Sequence, residues 1–155
     1  MNQENKKIIE QFYTAFGQGN PEEMIRFYHD DVEFEDPAFG PLKGQMAKNM
    51  WRMLVAPGAN VSFSNVQADD RTGSADWVAV YEFSQTGRKV VNRIHAEFVF
   101  KDGKIIRHKD AFSMWKWSRQ ALGLPGWLLG WSPIIRNKVN KTANEKLKAF
   151  SEKQR

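Results

Sequence analysis

With 155 residues the chain fits one domain, not two, and is long enough to bury a core without staples. It has no cysteine, which excludes disulfides, thiolate metal sites and cysteine nucleophiles, and fits a reducing compartment. Its net charge of +5 is concentrated at one end: Arg136 to Arg155 holds seven lysines and arginines against Glu145 and Glu152, and the remainder balances.

The opening MNQENKKIIEQ lacks the apolar core of a secretion signal. The longest apolar stretch, around Gly126 to Trp131, is too short to cross a bilayer. A soluble, cytoplasmic protein is expected. Residues 3–17 read as an amphipathic helix, with Ile8, Ile9, Phe12, Tyr13 and Phe16 at helical spacing and Gly17 and Gly19 closing it. Asn20-Pro21-Glu22-Glu23 opens a second helix through a cap, a first-turn proline and acids facing the dipole. That helix turns Met24, Phe27 and Tyr28 inward and is expected to stop near Asp30.

Val32 to Asp36 alternates as a strand, with Val32, Phe34 and Asp36 on one face, and Pro37 ends it. Gly40, Pro41 and Gly44 read as a loop. A third helix spans about 45–55, with Met46, Met50, Trp51 and Leu54 on one side. Strands follow at about 60–69, 75–84, 88–101 and 104–117, the last three joined in a meander by turns at Thr86-Gly87 and Asp102-Gly103. Gly123 to Gly130 reads as a loop whose Trp127, Leu128, Leu129 and the following Trp131 serve for packing, the alternative being a lid or a lipid-contacting wedge. Ser132-Pro133 opens a last helix to about residue 150, with an apolar stripe of Ile135, Val139, Ala143, Leu147 and Phe150. Helices on one face of an antiparallel sheet make an α+β domain.

Strand parity locates the chemistry. Trp77, Ala79, Tyr81 and Phe83 share a face, as do Ile94, Ala96, Phe98 and Phe100. On the next strand Ile106, His108, Asp110, Phe112 and Met114 share a face. Asp36, His108 and Asp110 are thus expected to point into an aromatic interior. Unpaired buried charges are costly, so the three either form a hydrogen-bonded core network or strand-end caps, or they line a cavity open to water or substrate. A carboxylate there would have a raised pKa suited to general acid–base work. Candidate lining residues are Phe12, Tyr13, Tyr28, Trp51, Trp77, Tyr81, Phe98 and Phe112, the alternative being plain core. An aromatic lining favours a small hydrophobic ligand.

No metal is expected: His29-Asp30-Asp31 reads as the polar end of the second helix. Gly-rich phosphate loops and Gly-x-Ser-x-Gly elbows are absent from the sequence. His95 and Glu97 fall on the outer face, suited to contact with a second copy. The last helix is expected to pack on its own domain with a solvated lysine face. Contact with a membrane surface is the alternative for it, and no nucleic-acid partner is expected.

Two stretches in register carry a resemblance. Tyr28-His29-Asp30-Asp31-Val32 leading to Glu35-Asp36-Pro37, and Asp102-Gly103-Lys104-Ile105-Ile106-Arg107-His108-Lys109-Asp110-Ala111-Phe112 followed by Gln120-Ala121-Leu122-Gly123, resemble the nuclear transport factor 2-like superfamily. They resemble in particular its SnoaL-like branch of ketosteroid isomerases, polyketide cyclases and limonene epoxide hydrolase. The resemblance implies a cystatin-like cone, with a curved antiparallel sheet wrapped around the N-terminal helices, a deep pocket, no cofactor and a homodimer formed through the sheet. It assigns residues 1–123 to the cone and leaves 124–155 as an added loop and basic helix packed on the same domain.

The resemblance also assigns roles. The Glu-Asp-Pro aspartate of ketosteroid isomerases is a general base, and it matches Asp36. Their oxyanion donors match Phe12 and Ala96 here; Tyr13, next to Phe12, is turned about 100° away on its helix. Limonene epoxide hydrolase and polyketide cyclases place an acid–base aspartate on the last strand, matching Asp110. The Arg-x-Asp of the epoxide hydrolase falls on Trp77 and Ala79. The cyclase comparison leaves the fewest residues missing, and His108 could orient Asp110 or share its proton. The expected function is cofactor-free isomerisation, cyclisation or hydration of a small hydrophobic molecule; the alternative is a non-catalytic ligand-binding or dimerisation module.

Overall fold

Helix α1 (Gln3–Gly17) forms where the apolar residues recur at helical spacing, and it buries Ile9, Phe12, Tyr13 and Phe16. The computed structural model describes residues 3–55, 57–130 and 132–154. Helix α2 (Pro21–Ile25) starts as expected, the Asn20 side chain accepting from the Glu23 amide. It stops short of Asp30. The Phe27 carbonyl accepts from Ile105 N and Tyr28 pairs with Ile105, so this aromatic run joins the sheet instead. Strand β1 (Tyr28–Asp36) therefore includes His29, Asp30 and Asp31, which do not form a helix end.

Residues Gly40–Lys43 form β2, not a loop; Pro41 is tolerated because β2 is an edge strand. Helix α3 (Gln45–Leu54) buries Met50 and Trp51, while Leu54 faces outward. Strand β3 (Asn60–Ala68) pairs with β4 (Thr72–Phe83), and so extends the expected meander that β4 makes with β5 (Arg88–Lys101) and β6 (Lys104–Ala111). Asp102 and Gly103, both at positive φ, supply the two-residue turn between β5 and β6.

The curved, unclosed sheet has the order β2-β1-β6-β5-β4-β3. It is mixed rather than wholly antiparallel: β1 runs parallel to β6, because the chain leaves β1 and returns beside it only after β2, α3 and the three strands β3, β4 and β5. A register shift between Val99 and Phe100, opposite Ile105, turns Ile105 into the core in place of Ile106. His108 and Asp110 keep their inward parity. β6 ends at Ala111, well before residue 117, because the Ser113 hydroxyl accepts from Lys116 N and starts α4 (Met114–Leu122). Met114 and Trp115 therefore belong to a helix.

The stretch expected as a loop contains α5 (Leu124–Leu129). Gly126 and Gly130 let its backbone lie directly on α4; a Cβ at Gly126 would run into the Ser118 carbonyl. Trp127, Leu128 and Leu129 consequently face outward and do not pack inside. Trp131 lies outside the described residues. Helix α6 (Pro133–Lys153) outruns the expected end at 150 and turns its stripe inward, with Leu147 fully buried. Among the described residues no helix is long and apolar enough to cross a membrane.

The main core lies between the inner face of the sheet and helices α1 and α3. A smaller cluster of Val90, Met114, Trp117 and Ala121 fixes α4 to β5.

Candidate active site

Between the inner sheet face and α3 and α6 lies a cavity of about 950 Å³. Trp51 and Met50 of α3, Trp77 and Tyr81 of β4, Ile94 of β5 and Val139 of α6 contribute to its largely apolar wall. Asp36, at the end of β1, and Asp110, near the end of β6, both line it. The sheet brings them together because β1 and β6 are neighbours and both carboxylates share the inward parity.

Behind Asp110 runs a buried relay. The Trp51 indole donates to the Tyr28 hydroxyl at 2.8 Å, and Tyr28 meets His108 Nδ1 at 2.7 Å. His108 Nε2 meets Asp110 Oδ1 at 2.9 Å, and the Trp77 indole donates to the same oxygen at 3.3 Å. His108 Nδ1 is the acceptor within reach of the Tyr28 proton; in the tautomer that takes it, His108 carries its own proton on Nε2, toward Asp110. His108 is 0% exposed and enclosed by the rings of Phe12, Tyr28, Phe34, Trp51 and Phe98. No described hydrogen bond involves Asp110 Oδ2, so that oxygen is left for the cavity.

Asp36 is held differently. Its Oδ1 accepts from the amides of Ala38 and Phe39, at 2.9 and 2.6 Å, which fixes the carboxylate over its own turn. Burial pushes its pKa up to about 7; the two amides oppose that shift, and the nearby Asp110 charge adds to it. The turn itself is gripped by α6. Asn140 donates to the Ala38 carbonyl at 3.0 Å and Asn144 to the Phe39 carbonyl at 2.9 Å.

Of the aromatic residues expected to line a pocket, Trp51, Trp77, Tyr81 and Phe112 do so. Phe12, Tyr13, Tyr28 and Phe98 do not; they are core residues packed around His108 and one another. His108 is likewise core and reaches the cavity only through Asp110. The Tyr13 hydroxyl is buried with no hydrogen-bond partner among the described residues, and burial raises its pKa well above the ordinary phenol value. Tyr81, half-exposed, accepts from the Trp117 indole at 2.6 Å.

Residues missed by sequence reasoning are Asn92, Lys138 and Lys146, which line the cavity, and the Asn140–Asn144 pair. Asn92 shares the parity of Ile94 and Ala96, so a polar residue on that apolar face was a readable signal. Asp30 pairs with the buried Lys48 at 3.1 Å, and His29 Nε2 lies 3.7 Å from Asp102 Oδ2. His95 and Glu97 lie on the outer face, His95 bonded to Asp76 at 2.7 Å.

No curated protein matches the chain in sequence. Among solved structures, a protein with a ketosteroid isomerase-like fold from Catenulispora acidiphila, in complex with trimethylamine, superposes with a TM-score of 0.66 at 15% identity, covering 82% of this chain and 98% of that one. An LEH-like epoxide hydrolase of M. tuberculosis gives 0.65 at 19% identity, covering 81% and 96%. An epoxide hydrolase/cyclase-like enzyme of pyran ring formation in the polyether salinomycin gives 0.61 at 13% identity, covering 72% and 92%. These likenesses concern the fold. A family profile described as the SnoaL-like domain matches residues 9–108, well over half of the sequence, and the chain belongs to that family.

Proposed function

We propose that the cavity binds a small hydrophobic molecule and that Asp36 and Asp110 exchange protons with it without a cofactor. The observation that carries this is the convergence of two carboxylates, from separate strands, on one apolar cavity. Burial raises the Asp36 pKa to about 7, which suits it to take or give a proton near neutral pH. Its Oδ1 is tied to two amides, and Oδ2 is the oxygen that meets the ligand. Asp110 presents its own Oδ2, while Trp77 and the relay through His108 hold Oδ1 in place. His108 and Tyr28 are positioning residues.

Such a pair suits isomerisation next to a carbonyl, aldol-type cyclisation, or water addition to a strained ring. The epoxide hydrolase and cyclase-like neighbours support the last two. Phe12 and Ala96 in place of oxyanion donors argue against a steroid isomerase and favour, as the second reading, a binding module without turnover. The outer face around Asp76, His95 and Glu97 is the surface we assign to a second copy.

The test is solvent-deuterium incorporation into a panel of apolar ketones and β-dicarbonyl compounds, with epoxide opening measured in parallel. Asp110→Asn and Asp36→Asn should each lower turnover by about 10²–10⁴-fold, the usual worth of a positioned acid or base, with the thermal transition retained. Turnover undiminished in Asp110→Asn would overturn the assignment. Ligand binding without any turnover would favour the binding module.

A further inference from the structure

The helices α5 and α6 present a surface that the proposed chemistry does not use. Leu124, Trp127, Leu128, Leu129 and Ile134 are 70%, 55%, 58%, 50% and 77% exposed, an unusual density of large apolar side chains within eleven residues. The patch is rigidly mounted. The close approach of Gly126 and Gly130 to Ser118 fixes α5 on α4. The Trp115 indole donates to the Trp127 carbonyl at 3.1 Å, the two rings meet edge to face at 5.4 Å, and Arg119 stacks over Trp115 at 4.6 Å.

Along the chain, the charge flanking the patch has one sign. From residue 111 to 144 the sequence contains no Asp or Glu, while Lys116, Arg119, Arg136, Lys138 and Lys141 fall within it. A second copy docking by the same face would bring these cations together. Exposed aromatic and aliphatic side chains flanked in the chain by lysines and arginines instead match a bilayer with anionic headgroups. The patch also adjoins the cavity: Leu122, Pro125, Ile135 and Val139, neighbours of the exposed residues in the chain, line it.

We propose that α5 and the first turns of α6 form a docking surface for an anionic lipid bilayer. The apolar side chains enter the headgroup boundary and the cations meet the lipid phosphates. Delivery of the cavity's occupant from that bilayer rests on the function proposed above; docking does not.

The full chain is sedimented with phosphatidylglycerol-containing vesicles and with pure phosphatidylcholine vesicles, at low and high salt and without added ligand. Binding should need the anionic lipid and weaken as salt rises. Trp127→Glu and Ile134→Glu should each lower vesicle affinity roughly tenfold or more, given the apolar area withdrawn from lipid, with the thermal transition retained. Ile134 makes the second variant because it is the more exposed. Absence of binding to anionic vesicles, equal binding to neutral ones, or affinity unchanged in Ile134→Glu would overturn the proposal. So would a concentration-dependent dimer that Ile134→Glu dissociates, which would assign the patch to a second copy.

Discussion

Asp36 binds a proton more tightly in the folded chain than in the unfolded one, because burial disfavours its charge. The stability this contributes is fully present below the ordinary carboxylate range and is lost as pH rises to about 7. At about 1.4 kcal/mol per pH unit across that window, the loss is on the order of 4 kcal/mol. Asp36→Asn keeps an acceptor for the Ala38 and Phe39 amides and carries no charge. It should raise stability by a few kcal/mol at pH 8 and change little at pH 4, measured by urea unfolding at both. Tyr28 offers a second test. Tyr28→Phe leaves His108 Nδ1 buried without its donor, so stability should fall by about 1–3 kcal/mol. The ¹⁵N shifts of His108 should report a disturbed tautomer. Unchanged shifts would show that Tyr28 does not set the proton's position.

At the scale of elements, α5 holds its place because two glycines allow backbone-to-backbone contact with α4. Gly126→Ala drives a Cβ into the Ser118 carbonyl, so α5 must lift. The expected outcome is a loss of about 1–3 kcal/mol, as for overpacking, with faster amide exchange confined to α4 and α5. The sequence revealed α1, β5 and the β5–β6 turn to the residue, because helical periodicity, strict alternation and Asp-Gly are strong local signals. It misplaced the end of α2 and the start of β1, since Phe27-Tyr28 suits a helix until Ile105 arrives from far along the chain to pair with it. The bulge opposite Ile105 was invisible for the same reason. Ser113 was a legible cap, overlooked because Met114 and Trp115 extend the alternation of the preceding strand.

For the whole molecule, parity counting was enough to bring Asp36 and Asp110 to one cavity, because a period of two survives as long as no bulge intervenes between the carboxylate and its strand partners. It could not separate aromatic residues that line the space from those that fill it. Phe12 and Trp51 are both buried, yet only Trp51, on the helix that walls the cavity, meets the void. The basic tail proved to be structural as well as charged, since its apolar stripe closes one side of the cavity.

Helix α6 does two jobs with one surface: its side chains bound the space open to a ligand, and Asn140 and Asn144 hold the loop from which Asp36 projects. The shape of the cavity and the proton affinity of Asp36 therefore depend on the same helix. Exchanging residues 133–154 for the corresponding segment of a relative would alter in one stroke the shape of the cavity and the pH at which Asp36 titrates.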